Sequence, residues 1–141
     1  MNDVSTILGI DIGTVRIGVA RSSFPGGIPE PLTVLHNDEE LSEKLAQLIA
    51  ANNVSLIVAG IPRSLSGDDT SQTKYTKQII DKLRQQLSIK IYEQDEAATS
   101  LHAEVELRNR KKPYSKGDID SLSAVYILED FMRDNLKSEV V

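Results

Sequence analysis

Three short apolar runs lie within the first 35 residues: Ile7-Leu8-Gly9-Ile10, Ile17-Gly18-Val19-Ala20 and Leu32-Thr33-Val34-Leu35. A strand that returns parallel to its predecessor needs a crossover of about a dozen residues or more. The chain between these runs is too short for that, so they must be antiparallel neighbours. Polar residues around Gly13 and Thr14 separate the first two, which reads as a hairpin. Phe24 to Pro29 holds two prolines and two glycines and reads as a loop.

Beyond residue 37 the rhythm becomes an alternation of helix and strand. Asp38 before Glu39 and Glu40 reads as a helix start, with Leu41, Leu45, Leu48 and Ile49 as the apolar stripe. Leu56-Ile57-Val58-Ala59, followed by a loop with Gly60 and Pro62, reads as a buried parallel strand. A second helix is expected from about Asp69 to Leu87, and a fifth strand over Ile89 to Glu93. A third helix is expected to start near Thr99 or Ser100, and a fourth to run from about Asp118 to Leu136. The order β-β-β-α-β-α-β-α-α implies an α/β fold with a five-stranded mixed sheet flanked by helices. Its first three strands are antiparallel, and its fourth and fifth are parallel to the first. Right-handed crossovers then make the first strand central. In such sheets a site forms at the carboxyl ends of the parallel strands, where strand order switches. That edge should carry Asp11, the loop after Ala59 and the segment after Glu93.

A length of 141 residues suits one domain, with a frayed tail expected after about residue 134. There are no cysteines, which excludes disulfide frameworks, thiolate metal centres and thiol nucleophiles. Sixteen basic against 21 acidic residues leave a net charge of −5, which argues against coating nucleic acid by bulk positive charge. No apolar run approaches the roughly 18 residues of a membrane span. The expectation is a soluble, cytoplasmic protein with no membrane partner.

Asp11 ends an apolar strand, where a carboxylate is costly unless it is paired, hydrogen-bonded or metal-bound. Asp95 and Glu96 follow the fifth strand at the same edge, and Asp118 and Asp120 open the last helix. Each has a plain structural alternative: a turn acceptor for Asp11, ordinary loop carboxylates for Asp95 and Glu96, an N-cap for Asp118 and a first-turn acid for Asp120. Together they converge where like charges repel, which calls for a hard divalent cation, Mg²⁺ or Mn²⁺. One or two such ions can activate water against a phosphodiester.

Leu8-Gly9-Ile10-Asp11-Ile12-Gly13-Thr14 with Arg16-Ile17-Gly18-Val19-Ala20 resembles the opening of the ribonuclease H-like YqgF family. Gly60-Ile61-Pro62 with Gly67, Asp95-Glu96 with Thr99-Ser100, and Lys116-Gly117 with Asp120 and Ala124 are similar to three further motifs of that family, in order. The likeness runs from about residue 6 to 132. It implies a ribonuclease H-like fold and a nuclease that matures the 5′ end of precursor 16S ribosomal RNA, or else resolves Holliday junctions. It also implies a catalytic and metal-binding set of Asp11, Glu96 and Asp120, with Asp95 the alternative to Glu96. The family usually has Asp where this chain has Ser23, and Arg where it has Ala97. The first departure is expected to remove a support of the turn, the second a phosphate or carboxylate partner.

Arg108, Arg110, Lys111, Lys112 and Lys116 put five positive charges into nine residues with no acid among them. This segment is a candidate phosphate contact, or else a solvated linker. Arg16 and Arg63 are further candidates. Six aromatics without a tryptophan give little material for stacking single strands, and Tyr114 alone lies inside the basic segment. His36 and His102 lack metal-ligand spacing, and Ser64, Ser66 and Ser71 have no histidine to activate them. Residues 60 to 70 lack the Gly-Lys-Ser/Thr of a P-loop. The hairpin also resembles the phosphate-binding turn of actin-like ATPases, which implies phosphate contacts for Gly13 and Thr14, but those enzymes need two lobes and this length suits one. The functional expectations are a nuclease acting on precursor rRNA, with ribosomal particles as partners, a branched-DNA resolvase, or a non-catalytic nucleic-acid-binding or ribosome-associated module. Either a monomer or a homodimer is compatible.

Overall fold

A computed structural model of the chain describes residues 4–97, 99–110 and 112–135, those at 97 and 99–102 as backbone alone. Lys111 and the expected frayed end at 136–141 lie outside the described residues. The elements are β1 (Ser5–Ile12), β2 (Arg16–Phe24), β3 (Glu30–His36), α1 (Leu41–Asn52), β4 (Val54–Arg63), α2 (Ser71–Gln86), β5 (Lys90–Ala97), α3 (Thr99–Asn109) and α4 (Lys116–Asp134). The sheet order is β3-β2-β1-β4-β5. β1–β2 and β2–β3 are antiparallel, while β1–β4 and β4–β5 are parallel. The first strand is central, as crossover handedness requires.

Several boundaries move. Asp38 does not start α1: its carboxylate accepts the Glu40 N–H at 3.0 Å and its carbonyl accepts that of Leu41, closing a turn before the helix. α2 starts at Ser71 because Thr70 caps it reciprocally with Thr73. α4 starts at Lys116, two residues before Asp118, because Ser115 caps it. Asp118 is the third helical residue, its carboxylate returning to the Ser115 N–H at 2.8 Å. β4 and β5 both run further than their apolar cores, since the ladder continues through Gly60↔Gln94, Ile61↔Asp95 and Pro62↔Glu96. Gly60, Pro62, Asp95 and Glu96 are therefore strand residues, not loop residues.

Alternation along the strands builds two cores. Leu8, Ile10, Ile12, Ile57, Ala59 and Ile61 face α1 and α2, meeting Leu41, Leu45, Ile80 and Leu83. Ile7, Leu56 and Val58 face the other way, against Ala103 and Leu107 of α3 and Leu122, Leu128 and Phe131 of α4. β4, an interior strand covered on both faces, is apolar without interruption from Leu56 to Pro62 for that reason. α4 crosses the sheet on bare backbone. A Cβ on Gly18 would lie 2.0 Å from the Asp120 carbonyl oxygen, one on Gly9 2.8 Å from that of Ala124, and one on Gly60 2.4 Å from the Ile127 side chain. Three glycines on three adjacent strands thus form the seat that brings α4 close. Phe131 closes its far end, 5.3 Å from the Phe24 ring and 4.9 Å from that of Tyr92.

Candidate functional site

Asp11 is the seventh residue of β1, paired in register with Gly18. It lies on the α4 face, in line with Ile7 and Gly9. Because Gly18 has no side chain, the backbone of Asp120 rests on its Cα and the two carboxylates become neighbours. Burial first, and the Asp120 charge second, push the Asp11 carboxyl up to about 7. Arg16 opens β2 and donates from Nε to Asp120 Oδ2 at 2.6 Å. The Gly13-Thr14 turn closes beside them, with the Gly13 N–H on the Arg16 carbonyl at 2.9 Å. A Cβ on Gly13 would lie 2.7 Å from that same oxygen, so this turn needs glycine.

The strand alternation separates Asp95 from Glu96. Glu96 shares the α4 face with Asp11: its Cγ lies 3.6 Å from a Cβ built on Gly60. Asp95 points to the α2 face, where it accepts from Arg63 Nε at 3.2 Å. Arg63 also pairs with Asp69. Glu96 is buried, and its Oε1 has no hydrogen-bond partner among the described residues. Burial, then a hydrogen bond with Asp130 and the charges of Asp130 and Asp134, outweigh Arg133 and raise its carboxyl to about 9. The candidate carboxylates therefore stand as two groups along α4. Asp11 and Asp120 are at its first turns, while Glu96 meets Asp130 three turns on. Among the described residues no three acids or histidines converge closely enough to hold an ion.

The cationic candidates are mostly matched by acids. Arg16 is held by Asp120, Arg63 by Asp69 and Asp95, Arg108 by Glu104 at 3.1 Å, and Arg110 by Glu106. The acids partnering Arg108 and Arg110 precede the basic segment by one helical turn, because α3 runs through Asn109. Lys112 and Lys116 are exposed. Asp130, the partner of Glu96, was not among the sequence candidates. Its only signal was ten residues of helical spacing after Asp120, which means little before the path of α4 is known. Ser23 pairs with Thr6, five rungs from the Asp11↔Gly18 pair and on the order of 17 Å away. It does not support the Gly13-Thr14 turn, contrary to the expectation from sequence. Ala97 ends β5. Among the described residues no helix is long and apolar enough to cross a membrane.

The family described as "RuvX: Holliday junction resolvase" matches residues 5–134. A Sulfurihydrogenibium protein named "Putative pre-16S rRNA nuclease" is 43% identical over 131 residues, covering 92% of this chain and 90% of that one. A Chloroflexus aggregans protein of the same name is 36% identical over 136 residues, covering 94% and 95%. In fold, the chain is similar to Thermus thermophilus RuvC in complex with a Holliday junction substrate (TM-score 0.54, 11% identity, 92% of this chain and 96% of that one). The fowlpox virus Holliday junction resolvase is also similar (TM-score 0.51, 13% identity, 92% and 98%). The central hairpin, the parallel strands beside it and the helix laid over their glycines are thus those of a RuvC-like, ribonuclease H-like domain, and the chain belongs to the RuvX (YqgF) family.

Proposed function

We propose that the chain is a divalent-metal-dependent endonuclease that hydrolyses phosphodiester bonds, with precursor 16S rRNA in the cytoplasm as its substrate. The observation that carries this reading is the Asp11–Asp120 pair. Two carboxylates are pressed together at the carboxyl edge of the sheet, and one is raised to about 7. Burial and the Asp120 charge both penalise an ionised Asp11, and a cation bound beside it would relieve both. The donor set is chemically suited to Mg²⁺ or Mn²⁺, being hard oxygen throughout, and the partnerless Glu96 Oε1 lies further along the same face. Asp11 and Asp120 would hold one ion, Glu96, which meets Asp130 three turns along α4, would serve a second, and Asp95, on the opposite face, is a weaker choice. A bound ion would supply an activated water and charge stabilisation for the leaving oxygen.

The protein's own groups do the rest. Arg16 fixes the Asp120 carboxylate through its Nε and screens part of its charge. Gly13 lets the turn close on the Arg16 carbonyl, which sets Arg16 beside Asp120. Lys112 and Lys116, exposed beside the start of α4, supply positive charge for the flanking backbone. RNA is preferred to branched DNA on the names of the relatives at 36% and 43% identity. The Holliday-junction reading rests on the family description and on the fold.

The test is incubation with an extended 16S precursor and with a four-way DNA junction, each with Mg²⁺ or Mn²⁺. Asp11→Asn and Glu96→Gln serve as controls. Cleavage of the precursor alone, lost in both variants, is the expected result. Cleavage of the junction alone would move the substrate to DNA, and no product on either would end the nuclease reading.

A further inference from the structure

On the α3/α4 side of the sheet a cavity of about 540 Å³ opens between the end of α3, the start of α4 and the β2–β3 connection. Its floor is apolar: Leu107, Leu122 and Val125 are all buried. Its acidic residues are Glu106 and Glu129 toward the floor and Asp118 at the start of α4. Glu106 is held by the Tyr126 hydroxyl, which donates to it, and by Arg110. Tyr114 and Lys112 stand exposed among the lining residues, so the one aromatic of the basic segment borders this cavity. A flat apolar floor, an exposed ring, a positioned carboxylate and a cationic rim are the parts from which proteins build sites for splayed-out bases. The volume falls within the usual range for small-ligand sites, about 300–1,000 Å³.

We propose that this cavity takes one unstacked nucleobase of the nucleic-acid substrate, stacked on Tyr114, with its exocyclic amino group on the Glu106/Glu129 carboxylates and its phosphate on Lys112. The inference rests on the reading of the protein as one that acts on nucleic acid, and it narrows the substrate. Ionised carboxylates only accept hydrogen bonds, so they select a base that donates through an amino group: adenine, cytosine or guanine. Uracil offers a single N–H between two carbonyls, and those carbonyls are repelled by the acids. A base in a duplex has that edge occupied, so the site selects a single-stranded stretch. The cavity also touches the catalytic edge. Asp118 and Ser121 line it, while Asp120, between them in sequence, turns to Arg16. One strand can therefore run from the Asp11–Asp120 pair into the cavity along the first turns of α4.

Binding without cleavage tests this. Fluorescently labelled rU12 is titrated with the protein in EDTA, beside three versions in which one central uridine is adenosine, cytidine or guanosine. Anisotropy should show the substituted oligonucleotides bound about fivefold more tightly than rU12 or better. Tyr114→Ala should weaken binding of all the substituted oligonucleotides, and Glu129→Gln should erase the difference from rU12. Both positions are exposed, so thermal unfolding should be unchanged. Equal affinity for all four in the natural protein, or a preference that survives both substitutions, overturns the proposal. Precursor cleavage is measured separately with Mg²⁺. Absence of cleavage with base preference retained would count against the nuclease reading alone, and cleavage without preference against the cavity alone.

Discussion

Asp11 carries the clearest physical signature at the scale of single residues. Its folded pKa, about 7, lies above the value of about 3.9 expected in the unfolded chain. Between those values the folded protein holds a proton that the unfolded chain has released, so stability falls as pH rises from about 4 to 7. Above that window the carboxylate is ionised in the fold and the penalty is complete. In EDTA at pH 8, Asp11→Asn should therefore melt higher than the natural protein by about 3 °C or more, with the two curves converging toward pH 4. Identical pH slopes for the two proteins would show that Asp11 carries no such load. Mg²⁺ should reverse the order at pH 8, raising the melting temperature of the natural protein and leaving Asp11→Asn unmoved. Calorimetric titration with Mg²⁺ gives the same comparison directly, and equal binding by both proteins would remove Asp11 from the metal site. Catalytically, loss of a ligand should exceed the roughly 10–100-fold cost of disturbing a ligand's supporting shell.

At the level of elements, the site depends on where α4 begins and how closely it lies. Ser115 and Asp118 cap its first turn reciprocally. Ser115→Ala should cost about 1 kcal/mol, read as a lower urea midpoint with unchanged slope. Gly18 is a more demanding position. A Cβ there meets the Asp120 carbonyl at 2.0 Å, and backbone cannot rotate away. Gly18→Ala should destabilise the fold by about 1–3 kcal/mol, and should also lift Asp120 off Asp11. The Asp11-dependent fall in stability between pH 4 and 7 should then shrink, although neither carboxylate has been changed. A Gly18→Ala protein with its full pH dependence would show that the glycine seat does not set the pairing. In the sequence Gly9 and Gly18 read as members of short apolar runs and Gly60 as a loop residue. Their role became visible once register put Gly18 opposite Asp11 and α4 above both.

For the whole molecule, charge distribution matters more than charge sum. The net −5 includes acids already spent on arginines: Asp120 on Arg16, Asp69 and Asp95 on Arg63, and Glu104 and Glu106 on Arg108 and Arg110. Exposed lysines at the start of α4 are then the main handles for a phosphate backbone. Affinity for single-stranded RNA should fall with salt, and Lys112→Ala and Lys116→Ala should each lower the log–log slope by about 1 or less. An unchanged slope in both would place the backbone elsewhere. Much of this molecule follows from local rules. Runs too close for a crossover force the antiparallel start, apolar continuity marks β4 as buried on both faces, and right-handed crossovers fix the strand order. Hence local rules alone place Asp11 at the carboxyl edge of the sheet. The two-residue period also holds the choice between Asp95 and Glu96, but only if the fifth strand is known to extend past Glu93. That extension depends on pairing with β4, a long-range contact. The Glu96–Asp130 contact, the Arg16–Asp120 pair and the cavity beside α4 likewise belong to the tertiary structure. They arise where residues far apart in the chain are pressed together by α4, and neither period nor propensity carries information about such distances.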